Sequence, residues 1–307
     1  MARQRTLSLR RRVSARLGGV ALSVALFLAK LLPVSASDRL GCWLGRVGFR
    51  LNKKHRTRTI LNLTMCFPDW DESRVLKTAK RVFEHFGRTV MRFFSSVKLT
   101  DDQLAKTIEH YDDTPLRTAL ESNKGVILVC GHFGNWERGA QMLTQRGLSL
   151  AVIARNANDE KTTNLINQKR KSHGLEVLAR GNAARDVLRA LRENKVVAIL
   201  PDQNARDLFV PFFGFPAGTV SGPAAFHLRT GAPVVFSALW EREDGRYEGF
   251  CKQLQFQGLD GNREHDEREI MAQINAELEE SIRHHPHQWL WMHDRWKAAR
   301  EQGLIHG

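Results

Sequence analysis

The spacing of apolar residues changes along the chain near Thr114. From Asp71-Glu72-Ser73 onward, apolar side chains recur every three or four positions, which predicts one long helix with a core-facing stripe. The stripe consists of Leu76, Ala79, Val82, Phe83, Phe86, Val90, Phe93 and Phe94. Beyond Thr114, short apolar runs alternate with amphipathic segments, which predicts buried strands separated by helices.

The alternation predicts five strands and four helices. The strands are Val126 to Cys130, Leu148 to Ala154, Leu175 to Leu178, Val196 to Leu200 and Val234 to Leu239, and the helices lie near 135–146, 159–173, 182–194 and 220–230. Strands that alternate with helices favour an α/β fold whose mixed, mostly parallel sheet is flanked by helices. We expect residues 37–307 to form one domain, with a helical part at 37–113 and an α/β core at 114–307.

Charge is concentrated at the N-terminus. The whole chain of 307 residues has a net charge of +14, and residues 1–60 hold 14 Lys and Arg against one acidic residue, Asp38. A basic arm of this kind binds nucleic acid or an anionic membrane. Six of its arginines run directly into the apolar stretch that starts at Leu17, which favours a membrane over nucleic acid.

The apolar run itself is short. The thirteen uncharged residues from Leu17 to Ala29 reach about 20 Å as a helix, whereas the hydrocarbon core is about 30 Å thick. Extension past Lys30 to Val34 gives a segment that spans if Lys30 snorkels. We therefore expect residues 1–36 to be a membrane anchor that barely spans or lies in one leaflet. A cleaved signal peptide, ending near Val34-Ser35-Ala36, fits the same pattern.

Residues 38–66 are also basic and amphipathic, which is typical of a stretch pressed onto lipid or onto the domain surface. Gly41, Gly45 and Gly48 have the small-xxx-small spacing that hints at close helix packing. The four cysteines are widely spaced and include no Cys-x-x-Cys pair, so the sequence favours a reducing compartment.

The main chemical motif follows the first predicted strand of the core, in Gly131-His132-Phe133-Gly134-Asn135-Trp136-Glu137. A carboxylate five positions after a histidine, in the first turn of a helix, can return to the imidazole and support it as a general base. The alternative is a helix N-terminus with a dipole-complementing Glu137 and an incidental His132. Hydrolase nucleophile elbows, phosphate loops and zinc-protease motifs are not present in the sequence.

These residues resemble the bacterial lipid A biosynthesis acyltransferases, the late lauroyl- and myristoyl-transferring members of the His-x4-Asp/Glu superfamily. The likeness runs from about residue 15 to Lys297. Further motifs in the same order are Asn62 to Pro68, Leu200-Pro201-Asp202-Gln203, and Phe209 to Thr219.

The resemblance implies a glycerolipid acyltransferase fold with an N-terminal membrane-anchor helix, and an inner-membrane enzyme whose catalytic face looks into the cytoplasm. Such an enzyme moves a fatty acyl chain from acyl carrier protein, or coenzyme A, to a hydroxyl of a lipid A precursor, without a metal or other cofactor. His132 then corresponds to the general base and Glu137 to its carboxylate partner. The candidate substrate-binding residues are Arg155, Asp202, Gln203, Arg170 and Asn135.

The sequence departs from the family at two positions. Ala217 stands where related glycerolipid acyltransferases often carry Glu, and Asp294 stands where the family usually has a second basic residue. The second departure leaves open another acceptor, such as a phosphatidylinositol mannoside or another glycolipid or lysolipid. A noncatalytic membrane-surface protein of the same fold is the remaining alternative.

For the developing oxyanion, the backbone N–H groups at Gly134-Asn135 and the Arg155 guanidinium are the candidate donors. The histidines at 284, 285, 287 and 293 have no recognisable ligand spacing, so we expect surface side chains rather than a metal site. Trp289, Trp291 and Trp296 fit either an interfacial aromatic belt or core packing.

Overall fold

A computed structural model of the chain describes residues 32–95, 100–154, 160–179 and 183–305. The expected basic arm lies outside these residues, as does nearly all of the expected anchor. Among the described residues, we find no helix with the length and apolar character needed to cross a membrane.

Eleven helices and nine strands are described, in the following order along the chain. They are α1 (Val34–Leu51), α2 (Lys53–Cys66), α3 (Glu72–Ser95), α4 (Asp101–Ala105), β1 (Ile108–His110), α5 (Thr114–Leu120), β2 (Val126–Val129), α6 (Trp136–Gln145), β3 (Leu150–Ala154), α7 (Glu160–Ser172), β4 (Glu176–Ala179), α8 (Ala183–Arg192), β5 (Val196–Ile199), β6 (Leu208–Phe212), β7 (Phe215–Thr219), α9 (Gly222–Thr230), β8 (Val234–Glu241), β9 (Tyr247–Gln253), α10 (Arg263–His284) and α11 (Lys297–Glu301). A single 3₁₀ turn, Pro286–Gln288, follows α10.

Seven of the strands form one sheet, in the order β1-β9-β8-β2-β5-β3-β4. Strands β8, β2, β5, β3 and β4 run parallel, whereas β9 is antiparallel to β8 and pairs in parallel with β1. Buried clusters cover both faces, with α8, α9 and α10 on one side and α5 and α6 on the other. The predicted α/β class, its mostly parallel sheet and its five core strands are therefore confirmed.

The short edge strand β1, the antiparallel strand β9 and the hairpin β6–β7 were not among the predicted strands. The hairpin pairs Leu208 with Thr219 and turns at Phe213-Gly214, both of which have positive φ. Such a two-residue turn matches the twist of the strands that it joins.

The long helix predicted from Asp71 is confirmed as α3, and it packs closely against α1. A Cβ added at Gly87 of α3 would lie 2.2 Å from the carbonyl oxygen of Gly41, and one at Gly45 would lie 2.2 Å from that of Phe83. The close packing predicted from the glycine spacing is thus confirmed at Gly41 and Gly45, whereas Gly48 faces only the Phe83 side chain at 3.6 Å. The opposite face of α1 carries Trp43, which is 56% exposed.

Candidate active site

The pairing of β2 with β5 builds the site. Val126 pairs with Val196 and Val129 with Ile199, so partners differ by 70 in residue number. His132 lies three residues after the end of β2, and Asp202 lies three residues after the end of β5. Because these two residues also differ by 70 in number, the register of the strands places them side by side. The two side chains meet at the end of the sheet where parallel α/β folds bind their ligands.

His132 is held by Asp202 through two hydrogen bonds. Its backbone N–H donates to Oδ2 at 2.7 Å, and its Nδ1 lies 2.8 Å from Oδ1. Asp202 is 2% exposed and also accepts a hydrogen bond from the indole Nε1 of Trp289 at 2.9 Å. Burial acts to raise the pKa of Asp202, but the charge of His132 and these hydrogen bonds outweigh it and lower the pKa to about 2. An ionised Asp202 accepts only, so the proton of the neutral imidazole sits on Nδ1 and the lone pair on Nε2.

Glu137 does not contact the imidazole, contrary to the sequence-based expectation. Its carboxylate forms two bonds with Arg170, Oε1 to Nη2 at 2.5 Å and Oε2 to Nε at 3.2 Å. The reason is geometric, because Asp202 already occupies the Nδ1 side of the ring. Glu137 lies in the first turn of α6 and faces Arg170 in the last turn of α7. The sequence therefore predicts Asp202 as a candidate residue but does not predict its contact with His132, which follows from the register of β2 and β5.

The turn between β2 and α6 depends on Gly134. Its φ is +57°, and a Cβ there would lie 1.7 Å from the carbonyl oxygen of Leu239. The N–H of Gly134 donates to the Gln288 carbonyl at 2.9 Å, and that of Asn135 donates to the Leu239 carbonyl at 3.1 Å. Both amides are used within the protein, so the expectation that they bind an oxyanion is wrong.

Asn135 is 2% exposed and caps α6. Its Oδ1 accepts the N–H of Arg138 at 3.1 Å, and its Nδ2 donates to the Tyr247 hydroxyl at 2.8 Å. These two hydrogen bonds direct the side chain of Asn135 toward the protein interior. The geometry therefore does not support the contact with substrate that the sequence predicts.

Gln203 is the other predicted residue next to His132. Its Nε2 lies 3.4 Å from Nε2 of the imidazole, a long contact on the side where the lone pair is exposed. The carbonyl of Gln203 faces Nη1 of the fully buried Arg295 at 3.5 Å, and Arg295 also donates to Gly218 and to Thr219. Arg155 lies outside the described residues.

A cavity of about 810 Å³ opens over the dyad. His132, Glu137, Arg170 and Gln203 lie at its polar end. A second part of the lining is apolar and reaches between α6 and the sheet. It comprises Leu128, Gly139, Ala140, Leu143, Leu150, Val152, Ala198 and Leu239. The site thus joins an imidazole held by a buried carboxylate to an apolar slot, and its volume is within the size range of ligand pockets.

Cys130 also lines this cavity, two residues before His132. Burial, with the nearby charges of Asp202 and Glu137, raises the pKa of its thiol to about 12. A thiol of that pKa is protonated at neutral pH and is a poor nucleophile.

The C-terminal aromatic residues pack into the core. Trp289, Trp291 and Trp296 are at most 1% exposed, so the core-packing alternative is confirmed and the interfacial belt is wrong. The expectation that the nearby histidines are surface residues holds for His284, whereas His287 and His293 are partly buried and burial lowers the pKa of each.

Comparison with known proteins identifies the family of the chain. Residues 8–298 match the family described as bacterial lipid A biosynthesis acyltransferase. The chain belongs to this family. The chain is 26% identical over 281 residues to the lipid A biosynthesis lauroyltransferase of Escherichia coli (strain K12), an alignment that covers 90% of each chain.

Two further relatives have different names. The lipid A biosynthesis myristoyltransferase of Escherichia coli (strain K12) is 22% identical, over 85% of this chain and 81% of its own. The phosphatidylinositol mannoside acyltransferase of Mycobacterium tuberculosis (strain ATCC 25618 / H37Rv) is 26% identical, over 70% of this chain and 69% of its own. This lipid A-type family member is therefore an acyltransferase, as the motifs predicted.

Proposed function

We propose that this acyltransferase moves a fatty acyl chain from acyl carrier protein, or coenzyme A, to a hydroxyl of a lipid A precursor at the cytoplasmic face of the inner membrane. The observation that carries the proposal is the buried Asp202 on Nδ1 of His132, which leaves a basic Nε2 beside a cavity with an apolar slot.

His132 acts on the acceptor. Nε2 takes the proton of the attacking hydroxyl as its oxygen bonds to the thioester carbonyl, a contribution of about 10²- to 10⁴-fold. The C–S bond then breaks, the imidazolium returns the proton to the departing thiolate, and the products are an ester and a thiol. Asp202 keeps the imidazole in the reactive tautomer and stabilises the imidazolium between the two proton transfers.

The apolar slot is the proposed site of the acyl chain. Small side chains on the sheet-facing side of α6, Gly139 and Ala140, leave space above Leu128 of β2. Leu150 lines the deep end, since it pairs with Val196 and thus stands level with Val126. The length of the slot from His132 to the level of Val126 corresponds to about six residues of extended chain, or about 20 Å.

The polar end is the proposed site of the thioester and acceptor head. The Gln203 amide and the N-terminal turn of α6 offer donors and a favourable dipole for the developing oxyanion. The Glu137–Arg170 pair forms one wall, where it fixes the guanidinium for contact with an anionic group of either substrate. The thioester supplies the activation, so the scheme requires no cofactor.

A basic groove supports a phosphorylated acceptor. Lys53, Lys54, Arg58 and Lys297 line it, and its wall residue His293 accepts a hydrogen bond from the N–H of Asn204, which lines the catalytic cavity. Asp294, the residue that departs from the family pattern, is paired with Arg58 at 2.7 Å and with Arg300. Because its charge is compensated, the groove keeps an excess of cations.

Membrane association has support of its own. On α1 and α2, Trp43, Leu51 and Leu61 are each more than half exposed, among arginines and lysines of the same helices. Aromatic and aliphatic side chains among cations suit an anionic lipid interface.

The decisive experiment is mass spectrometry of total lipids from cells with and without the gene. The gain of one acyl chain on a lipid A precursor supports the proposal, and it should return with the wild-type gene but not with His132→Ala. A gain on a phosphatidylinositol mannoside-like lipid instead favours the acceptor named for the mycobacterial relative. Unchanged lipids, with the protein still bound to membranes, would favour a noncatalytic surface protein.

A further inference from the structure

The backbone of Gly134 is held on both sides. On one side its N–H donates to the Gln288 carbonyl at 2.9 Å. On the other, its carbonyl accepts a hydrogen bond from Nε2 of His85 at 3.0 Å. Gly134 lies two residues after His132, so these bonds fix the turn that carries the proposed base.

His85 comes from α3, outside the α/β core, and is 1% exposed. Its Nδ1 lies 3.5 Å from Oε2 of Glu241, at the end of β8. The Glu241 carboxylate is held in turn by Arg88 at 2.8 Å and by Arg92 at 3.0 Å, both from α3. The imidazole therefore lies against a carboxylate that is itself fixed, and its Nε2 makes the hydrogen bond that reaches the turn.

Gln288 connects the two sides. Its Oε1 accepts the N–H of Glu241 at 2.8 Å, and its Nε2 donates to the Glu241 carbonyl at 2.7 Å. His85, Gly134, Gln288 and Glu241 thus form a closed ring of contacts, which we call the turn clamp. Its members come from α3, the catalytic turn, the 3₁₀ turn and β8, four segments far apart in sequence.

We propose that His85 is a positioning residue of the acyl transfer, which acts through its Nε2–H bond to Gly134 and holds the turn that bears His132. The proposal rests on the proposed function of His132. A buried carbonyl that loses its donor is destabilised, and the turn moves to recover a partner. A shift of about 1 Å at a reacting group lowers turnover by up to about 10²-fold.

Two amide substitutions separate the nitrogens of the imidazole. In His85→Gln, the amide nitrogen takes the place of Nε2 and can still donate to Gly134. In His85→Asn, the shorter side chain places its amide near the position of Nδ1, so the bond to Gly134 is lost. His85→Leu removes both polar contacts, and His284→Asn at the exposed end of α10 is the matched control.

We expect His85→Asn and His85→Leu to lower kcat at least tenfold, with less than a threefold change in KM for the thioester. We expect His85→Gln and the control to stay within about threefold of wild type. A merely structural histidine would instead change the melting temperature of all three variants and leave kcat per folded molecule unaltered. Equal losses of kcat in His85→Gln and His85→Asn would overturn the proposal. If His85→Leu does not fold, the comparison of His85→Gln with His85→Asn tests the proposal.

Hydrogen–deuterium exchange gives a readout that does not depend on activity. In His85→Asn and His85→Leu, a peptide covering residues 131–137 should exchange at least tenfold faster than in wild type, whereas His85→Gln should keep it protected. Unchanged exchange in His85→Asn would refute the turn clamp. If the wild-type protein transfers no acyl group but the variants show this exchange pattern, the proposed function is wrong and the turn clamp is still supported.

Discussion

Replacing Asp202 by Asn tests the dyad directly. The side chain keeps its size, but the amide nitrogen, if placed at Nδ1, forces the imidazole proton onto Nε2, where the acceptor hydroxyl must be deprotonated. The variant also loses the charge that stabilises the imidazolium. At the observed 2.8 Å and an effective dielectric constant of about 20, that attraction is about 6 kcal/mol, an upper bound.

We therefore expect Asp202→Asn to lower kcat by about 10³- to 10⁴-fold, similar to the loss of at least about 10³-fold for His132→Ala. The two residues act as one unit, so the double variant should be little worse than either single one. Glu137→Gln, which leaves the His132–Asp202 contact intact, should cost only about tenfold. The assay is single-turnover transfer from an acyl thioester to a lipid acceptor in detergent, with circular dichroism as a check on folding.

A loss from Glu137→Gln that exceeds the loss from Asp202→Asn would refute this reasoning, because Glu137 would then be the partner of His132 in the working enzyme. So would wild-type turnover in Asp202→Asn.

The lowered pKa of Asp202 also has a consequence for stability. A carboxyl whose pKa is lowered on folding stabilises the fold above its unfolded value, near 4, and loses that contribution as the pH falls toward about 2. The shift from 3.8 to about 2 corresponds to roughly 2 kcal/mol. In urea unfolding between pH 5 and pH 2.5, the wild type should thus lose about that much more stability than Asp202→Asn. Parallel curves for the two proteins would contradict the assignment.

Three further predictions follow from single sites. Cys130→Ser should keep at least a tenth of the activity, and no acylated protein should accumulate with donor alone; a trapped acyl-Cys130 would reverse that. Gly139→Leu should shift transfer toward shorter acyl chains, measured with a series of thioesters; an unchanged preference would exclude the slot. Gly45→Ala should lower the free energy of unfolding by at least about 2 kcal/mol, since its Cβ meets the Phe83 carbonyl, whereas Gly48→Ala should stabilise α1 by up to about 1 kcal/mol. Similar effects of the two alanine substitutions would contradict the observed helix crossing.

The core strands were predictable because each is a short run of mainly apolar residues. Helix α3 was predictable because its apolar residues recur with the period of a helix, although Leu76 and Val90 of the predicted stripe are each 40% exposed. Strand β9 was not, since Tyr247–Gln253 includes Glu248, Gly249 and Lys252, and the strand is antiparallel to β8 in a sheet whose predicted strands are parallel. The motif predicts His132 as the base. It does not predict Asp202 as the partner of His132, because Glu137, five positions after His132, is the nearest carboxylate in the motif. The contact between His132 and Asp202 depends instead on the register of two strands that lie seventy residues apart.

The turn clamp also bears on how the protein is made. Gln288 and Trp289, which hold the Gly134 amide and the Asp202 carboxylate, leave the ribosome more than 150 residues after His132. The residues of α1 to α3 and of the whole sheet are synthesised before Gln288 and Trp289, so the turn at Gly134 receives its last two partners near the end of synthesis. A nascent chain that ends near residue 285 therefore contains His132, Asp202 and His85 but lacks the two bonds that Gln288 and Trp289 supply. It also lacks Trp291 and Trp296, which are fully buried, so the site and this part of the core are completed together.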